Sequence, residues 1–157
     1  MGKNIIEHVW SVVCSSSSVD RETNNISLFN LIEKLTFNIP TTVLEKVKRE
    51  EKRSIAFPIE FEVVSRFRRS EAKEGFAFDY RLRVLNAESR IIFAGQEQKI
   101  ALKEGIDNIR IRNQFKNIPI QKTGIYKIVI EIRNVGETTF RSVYSIPLDI
   151  VVKEESQ

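Results

Sequence analysis

Apolar and polar residues alternate along most of this chain. In FAFDYRLRV, which starts at Phe76, every second residue is aromatic or aliphatic, and charged residues such as Arg81 fall between them. The segment TGIYKIVIEIR repeats the pattern. Because successive side chains of a β-strand point to opposite faces, this period of two predicts half-buried strands. The residues predicted to face the core are Phe76, Phe78, Tyr80, Leu82, Val84, Tyr126, Ile128, Ile130 and Ile132.

Other parts of the chain alternate in the same way. Residues 59–68 place Ile59, Phe61, Val63 and Phe67 on one side, and the segments 90–102 and 108–120 alternate less cleanly. The last run carries Pro147, which has no backbone N–H, so we expect an edge strand or a bulge there. Its predicted core positions are Phe140, Tyr144, Ile146, Leu148, Ile150 and Val152.

Turn residues separate these runs at short intervals, as at Gly75, Gly105 and Gly124. Many short strands at such spacing predict an all-β protein, an antiparallel Greek-key β-sandwich of the immunoglobulin-like kind. A chain of 157 residues is long enough to bury a core of its own. We therefore expect a single sandwich domain over residues 1–152 and a solvated C-terminal tail over residues 153–157.

One segment departs from the alternation. PTTVLEKVKREEKRS has Thr42 three residues before Glu45, a spacing that fits a helix capping box. The pattern predicts one short helix or a charged loop near residues 41–52. Its acidic and basic residues nearly cancel, which favours a solvated connection over a binding tail.

The stretch HVWSVVCSSSSVDRETNN contains the only His, Trp and Cys of the chain. His8, Trp10, Val12 and Cys14 share one parity, so they are predicted to point to one face of a strand. Six strand residues span roughly 20 Å, whereas a nucleophile and its base must approach to about 3 Å. His8 and Cys14 therefore cannot act as a dyad within one strand, and Trp10, Val12 and Cys14 are predicted to be core.

The same counts exclude several kinds of site. One Cys cannot close an internal disulfide, and one His cannot supply a two-histidine metal site. The serine-rich remainder of the stretch is typical of a turn, and a cation site on Asp20 and Glu22 would lack ligands. No catalytic residue, metal ligand or cofactor is predicted.

The composition and the net charge bear on where the protein is expected to be found and on what it could bind. The net charge is +4 and the isoelectric point is near 9.3, with both signs mixed along the chain. No segment approaches the roughly 18 apolar residues of a membrane span, and the first residues lack the apolar run of a signal peptide. We expect a soluble, cytoplasmic protein without a membrane partner.

Two sequence resemblances add to these predictions. TGIYKIVIEIR resembles the tyrosine corner of immunoglobulin-like sandwiches, with Gly124 two residues before Tyr126. Together with WSVVC, Asp20, TNNISLFNLIEKL and PIQKTGIYKI, it resembles an uncharacterised family of small bacterial and phage β-sandwich proteins. That resemblance implies one all-β domain and supplies no activity or site residue.

Three functions stay open on these observations. The first is a non-enzymatic interaction or structural module whose partner is another protein, bound through loops or an edge strand. The second is binding of nucleic acid or another polyanion by an arginine-rich sheet face. The third is carbohydrate binding or hydrolysis by carboxylates such as Asp79, Glu97 and Asp107. The candidate polyanion-binding residues are Arg66, Arg68, Arg81, Arg83, Arg110 and Arg112, with Arg133 on the same outward parity.

Acidic residues complicate the second function. Glu60, Glu62, Asp79 and Glu131 share the outward parity of those arginines, so cross-strand ion pairs could neutralise the face. The aromatic residues occupy mostly inward positions, where they cannot stack on bases. Protein binding is therefore the preferred prediction, nucleic acid the alternative, and the oligomeric state stays open.

Overall fold

The computed structural model describes residues 6–50, 55–70, 74–120 and 122–155. Within them lie ten strands and one helix. The elements are β1 (Ile6–Val19), β2 (Ile26–Leu31), β3 (Lys34–Pro40), α1 (Thr41–Arg49), β4 (Ile55–Arg69), β5 (Phe76–Leu85), β6 (Ile91–Ala94), β7 (Gln98–Leu102), β8 (Asn108–Ile120), β9 (Gly124–Asn134) and β10 (Arg141–Glu155).

The strands form two sheets. The first sheet has the order β2-β1-β4-β8, and the second has the order β3-β10-β9-β5-β6, with β7 also paired to β5. The inward side chains of both sheets form one buried cluster that includes Phe61, Phe67, Phe78, Tyr80 and Ile130. The predicted all-β sandwich is confirmed. The second sheet is mixed, since β3 runs parallel to β10.

The alternation of β5 and β9 is confirmed, whereas Tyr144 of β10, predicted to be core, is 44% exposed. In β5 and β9 the side chains at Phe78, Tyr80, Ile128, Ile130 and Ile132 are completely inaccessible to solvent. The hydroxyl of Tyr126 donates a hydrogen bond to the carbonyl oxygen of Lys122 at 2.9 Å, four residues upstream. This is the bond that characterises a tyrosine corner. A Cβ atom at Gly124 would lie 2.6 Å from the Cβ of Ala87, so this corner requires glycine.

The first strand differs from its predicted parity. The pairing of β1 with β4 shifts between His8 and Trp10, so Val9 is an extra residue that forms a β-bulge. Because a one-residue shift exchanges the two faces, His8 points inward, whereas Trp10 points outward beside Arg66. The prediction that His8 shares a face with Trp10, Val12 and Cys14 is therefore wrong, although the latter three do lie on one face.

The prediction that Trp10, Val12 and Cys14 are buried is confirmed for Cys14 and wrong for Trp10 and Val12. Cys14 is completely buried, but it pairs with Glu62 on the outward face. Trp10 and Val12 are half-buried on that same face. Ser11 and Val13 take the inward positions instead, opposite Ser65 and Val63.

Three element ends differ from the sequence prediction. The helix begins at Thr41 after the N-cap Pro40, and no side chain caps it. Thr42 is thus already helical, and the predicted capping box does not form. Phe140 precedes β10, and its ring lies beneath two arginines on the outer face of the second sheet instead of entering the core.

Strand β10 continues into the residues that were predicted to form the C-terminal tail. Residues 153–155, predicted to begin the tail, are exposed but belong to β10, where they pair with the end of β3. Residues 156–157 and the end of the predicted helical segment, residues 51–52, lie outside the described residues. Within the part of the chain that is described, no helix is both long enough and apolar enough to cross a membrane.

The prediction that Pro147 marks an edge strand is wrong for β10 as a whole, because β10 lies between β3 and β9. Pro147 nevertheless lies in the part of β10 that has no partner on β3, and the predicted irregularity is present nearby, between Ser142 and Tyr144. The partners of β10 on β3 begin only at Asp149, whose N–H donates to the carbonyl oxygen of Glu33 at 2.9 Å. Backbone N–H groups point to alternate sides along a strand, so the nitrogen of Pro147, two residues earlier, faces the same edge. The N–H that Pro147 lacks would not have bonded to β9, so no hydrogen bond between β10 and β9 is lost. Its absence limits the pairing of this edge with another strand.

A buried chain of hydrogen bonds crosses the core. Nε2 of His8 lies 2.7 Å from the hydroxyl oxygen of Ser11, which donates to Ser65 at 2.7 Å. Ser65 bonds to the hydroxyl of Tyr80, which donates to Oδ1 of Asn113 at 2.8 Å. With the Ser11 hydroxyl donating to Ser65, the Ser11 oxygen can accept a hydrogen bond from the Nε2–H tautomer of His8. Burial raises the pKa of Tyr80, which keeps this donor neutral.

This arrangement predicts a pH-dependent stability. Burial lowers the pKa of His8, so between that value and the unfolded value of about 6.5 the unfolded chain binds more protons. The stability contributed by neutral His8 is complete above about pH 6.5 and declines as the pH falls through the folded pKa. Urea midpoints measured from pH 7 to pH 5.5 should fall in the wild type and stay flatter in His8→Gln, which does not titrate. Equal slopes would contradict the assignment.

Candidate functional site

The six arginines predicted to bind a polyanion lie on two different sheets. Arg66 and Arg68 belong to β4 and Arg110 and Arg112 to β8 in the first sheet, whereas Arg81 and Arg83 belong to β5 in the second. The outer faces of a sandwich point in opposite directions. The six residues therefore do not form one continuous arginine face.

The arginines of the second sheet are neutralised. Glu131, only 3% exposed, accepts a hydrogen bond from Nε of Arg81 at 2.6 Å and another from Arg83. Arg133 pairs with Asp79 at 2.8 Å. The hydrogen bond to Asp79 raises the pKa of Arg133 above its usual value. On this face Asp79 and Glu131, which share the outward strand parity of the arginines, form the cross-strand ion pairs that the sequence suggested.

The carboxylates considered for hydrolysis are held in the same network or lie elsewhere. Asp79 and Glu97 both contact Arg133, at 2.8 Å and 3.2 Å. Asp107 follows β7 and accepts a hydrogen bond from the side chain of Asn108. A glycoside hydrolase places its two carboxyl groups on either side of the scissile bond, whereas Asp79 and Glu97 contact the same guanidinium. Two of the three carboxylates therefore meet in an arrangement suited to an ion pair.

The arginines of the first sheet are arranged differently. Arg66 and Arg110 are directly paired across β4 and β8, so their side chains lie on the same outward face. Arg66 donates to Oδ1 of Asn108 at 3.1 Å, and Arg110 donates to both Oδ1 and the carbonyl oxygen of Asn24 at 2.6 Å. Arg68 lies apart, in an exposed pair with Glu7 at 3.3 Å.

Arg112 completes the group. It donates to the carbonyl oxygen of Ser17 at 3.1 Å and lies 3.2 Å from Glu62. Glu62 is 7% exposed. Burial works to raise the pKa of Glu62, but hydrogen bonds from Ser17 and Arg112 outweigh it and hold the pKa below its usual value. Glu62 in turn adds to the effect of burial, which raises the pKa of the Cys14 thiol and keeps it protonated.

These contacts show where the β1–β2 hairpin lies. Its outer part, residues 15–28, is called here the hairpin arm. The pairing of β1 with β4 ends at Cys14, yet Ser17 and Asn24 contact arginines of β8, the strand at the far edge of the sheet. The hairpin arm therefore bends across the outer face of β4 towards β8.

The tip of the hairpin arm is a well-bonded turn. Oδ1 of Asp20 accepts hydrogen bonds at 2.8 Å from the backbone N–H groups of Glu22 and Thr23, and these bonds lower the pKa of Asp20. Asn24 follows with a positive φ of 56°. The turn predicted for SSSSVDRETNN is confirmed only for residues 20–25, because residues 15–19 belong to β1 and pair with β2. In the described part of the chain, no group of three or more His, Cys, Asp or Glu residues could hold a metal ion.

A cavity of about 660 Å³ separates the hairpin arm from the loop that connects β7 to β8. We call it the arginine cavity. Three of the six arginines that the sequence singled out line it together, and its other polar lining residues are Thr23, Asn24, Asn25, Asp107 and Asn108. The remaining three lie outside it. Sequence alternation identified these arginines as outward-facing but could not place the hairpin arm above them.

A second concavity lies at one side of the sandwich, between the two sheets. It has a volume of about 590 Å³, and apolar residues dominate its lining. We call it the side groove. Its apolar lining includes Val12, Leu31, Ile32, Ile125, Ile146 and Pro147.

Two residues of the side groove are unusually exposed for their size. Leu31 is 61% exposed and Ile125 is 59% exposed. Sequence reasoning identified the edge at Pro147 but missed these two. A signal was present in TGIYKIVIEIR, where Ile125 occupies an outward position that the neighbouring alternation fills with charged residues such as Lys127.

Comparisons with known proteins do not assign this chain. No family model matches it, and no curated protein matches it. Among solved structures, it is similar to a β-glucuronidase from glycoside hydrolase family 2, with 14% sequence identity and a TM-score of 0.46. The match covers 62% of this chain and 11% of the β-glucuronidase.

Proposed function

We propose that this protein is a non-enzymatic interaction module that binds an extended segment of a partner protein in the side groove. The observation that carries the proposal is the exposure of Leu31 and Ile125 within one apolar concavity. Single apolar residues are common on protein surfaces, but apolar residues gathered in a concave site are characteristic of binding surfaces. Covering a Leu or Ile side chain contributes roughly 1 to 2 kcal/mol.

The backbone beside the side groove favours an extended occupant. Residues 141–148 of β10 pair with β9 on one side, and β3 pairs only from Asp149 onward. By strand alternation, the N–H and C=O of Ser145 and the C=O of Pro147 face the open edge. An extended segment can therefore bond to this short edge while its apolar side chains enter the side groove.

The edge is built for a short and selective contact. Pro147 removes one donor, and the pairing of β10 with β9 shifts between Ser142 and Tyr144, which breaks the regular ladder. Both features are typical of edges protected against indiscriminate strand addition. Glu33, Lys34 and Asp149 also line the side groove and place charges of both signs beside its apolar surface. Specificity would come from those charges and from the fit of apolar side chains.

The arrangement of the arginines argues against nucleic acid as the partner. Arg81 and Arg83 are bound to Glu131 and lie on the second sheet, away from Arg66 and Arg110. Extended polyanion binding needs a continuous basic track with several phosphate contacts. The three first-sheet arginines line one half-open cleft and do not continue onto the second sheet, so a protein partner is favoured over a nucleic acid.

A matched set of aspartate substitutions tests the side groove. Ile125→Asp and Leu31→Asp each place a charge in it and should weaken binding of the partner at least tenfold, because the carboxylate must lose its hydration on binding. Val135→Asp is the control, since Val135 is 64% exposed and does not line the side groove. Binding is measured by pull-down with quantitative mass spectrometry, with and without nuclease, and the fold by thermal melting.

The expected result is one partner protein that survives nuclease treatment, is retained by Val135→Asp and is lost by both groove variants. The proposal fails if all three variants retain the partner equally. It also fails if nuclease abolishes recovery, or if the protein recovered through the side groove is a second copy of this chain.

A further inference from the structure

The facing arginines of the first sheet present an electrostatic problem. Arg66 and Arg110 are direct cross-strand neighbours, and Arg112 lies two residues along β8 on the same face. Like charges directly opposite each other destabilise a sheet. Elsewhere on the outer faces, Arg68, Arg81, Arg83 and Arg133 each contact a carboxylate.

Arg66 and Arg110 instead contact neutral oxygens. Their acceptors are the side chains of Asn108 and Asn24 and one backbone carbonyl. Among the described residues, no carboxylate oxygen lies within 4.0 Å of either guanidinium. Neutral acceptors satisfy hydrogen bonds but leave the two positive charges uncompensated.

The arginine cavity has the size and lining of a ligand site. Its volume of about 660 Å³ falls within the range of about 300 to 1,000 Å³ found for small-molecule sites. The three arginines and one acid, Asp107, give its lining a net positive charge. Val19, Ile106 and Ile109 add apolar surface, so the site suits a ligand that has both an anionic group and an uncharged body.

We infer that the arginine cavity binds a phosphorylated small molecule of about nucleotide size, with Arg66 and Arg110 contacting the phosphate. A guanidinium has five N–H donors in a planar fork that matches phosphate oxygens. The bonds to Asn24 and Asn108 use only part of that capacity, so both arginines still have donors for a ligand. This inference does not depend on the side groove.

The arginine cavity is a half-open cleft bounded by the hairpin arm and the loop around Ile106, and this shape favours a small ligand over a polymer. The hairpin arm covers the outer face of β4, and its contacts with Arg110 and Arg112 close one side of the arginine cavity. A nucleic acid strand needs an open groove that continues beyond a few nucleotides. A single phosphorylated molecule can instead enter between the hairpin arm and the loop around Ile106.

Calorimetric titration of the intact chain tests the inference with four probes: inorganic phosphate, adenosine monophosphate, adenosine and a twelve-residue oligothymidylate. Adenosine monophosphate should bind, phosphate should bind at least tenfold more weakly, and adenosine should show no binding. If phosphate binds as tightly as the nucleotide, the organic body plays no part and the nucleotide-sized ligand is wrong. If only the oligonucleotide binds, the small-molecule site is wrong.

Substitutions locate the site. Arg66→Gln and Arg110→Gln should each weaken adenosine monophosphate binding at least tenfold, whereas Arg68→Gln should change it less than twofold. Arg68 is the matched control because it lies on β4 with the same charge but does not line the arginine cavity. Equal weakening by all three would indicate a diffuse charge effect and overturn the inference.

Asn24→Gly provides a test in the opposite direction. Asn24 has a φ of 56°, which glycine adopts without strain, and the substitution removes Oδ1, one of the two acceptors that occupy Arg110. Affinity for adenosine monophosphate should rise two- to fivefold, an effect that loss of folding cannot produce. Unchanged or weaker binding in a fully folded Asn24→Gly protein would contradict the role given to Arg110.

Discussion

Replacing Arg69 by alanine is expected to lower the free energy of unfolding by about 3 to 4 kcal/mol. Arg69 is 2% exposed, and its guanidinium donates to the carbonyl oxygens of Glu74 and, at 2.8 Å, Lys103. It therefore fastens the segment that follows β4 to the segment that follows β7. Alanine would leave both carbonyls without this donor and create a void.

Arg68 provides the control for this prediction. It is the preceding residue of β4, and its side chain is 59% exposed in a pair with Glu7. Exposed pairs contribute little, so Arg68→Ala should cost less than about 1 kcal/mol. Urea denaturation of both variants measures the two values. Similar losses would mean that burial of Arg69 does not stabilise the fold in the way described.

Replacing Glu131 by alanine is expected to cost about 3 kcal/mol. Glu131 is 3% exposed and holds both Arg81 and Arg83 on the outer face of the second sheet. Without the carboxylate, two positive charges that are 26% and 28% exposed would lie beside each other without their shared counterion. Water reaches both arginines, which places the cost at the lower end of the range for broken buried pairs.

Glu97 tests whether burial makes the difference. It also contacts Arg81, at 3.4 Å, but it is 50% exposed. Glu97→Ala should therefore cost less than about 1 kcal/mol, and thermal or urea melting of the two variants gives the comparison. If Glu97→Ala destabilises the protein as much as Glu131→Ala, the account of a network centred on Glu131 is wrong.

Local alternation was sufficient to predict the strands that span the core. Phe78, Tyr80, Ile130 and Ile132 are buried because a regular strand keeps its parity from end to end. The parity of β1 could not be predicted in the same way, since the bulge at Val9 depends on how β1 pairs with β4. Pairing register is a property of two distant segments and is not visible in either one alone.

The residues of the candidate sites were likewise predictable from the sequence only in part. The sequence identified Arg66, Arg110 and Arg112 as outward residues, and the structure brings these three together. It could not show that Arg81 and Arg83 belong to the other sheet, because strand order depends on the whole topology. Nor could it show that the hairpin arm folds over the outer face, which depends on contacts between Asn24 and a strand distant in sequence.

The start of α1 shows how context overrides a local motif. Thr42 and Glu45 have the spacing of a capping box, but β3 continues to Pro40 in its pairing with β10, and the helix begins directly at Thr41. Thr41 itself donates a hydrogen bond to the carbonyl oxygen of Glu155 at 3.3 Å. The end of the sheet thus fixes where the helix starts.

The central claim is that a partner protein occupies the side groove, and site-specific photocrosslinking in cells tests it most directly. A photoreactive amino acid placed at Ile125 should crosslink to one protein, through a peptide that is extended and apolar, and the crosslink should disappear when Leu31→Asp is added. The same amino acid at Val135, which lies outside the side groove, should give no such product. Crosslinks to nucleic acid, to a second copy of this chain, or equally from both positions would contradict the claim.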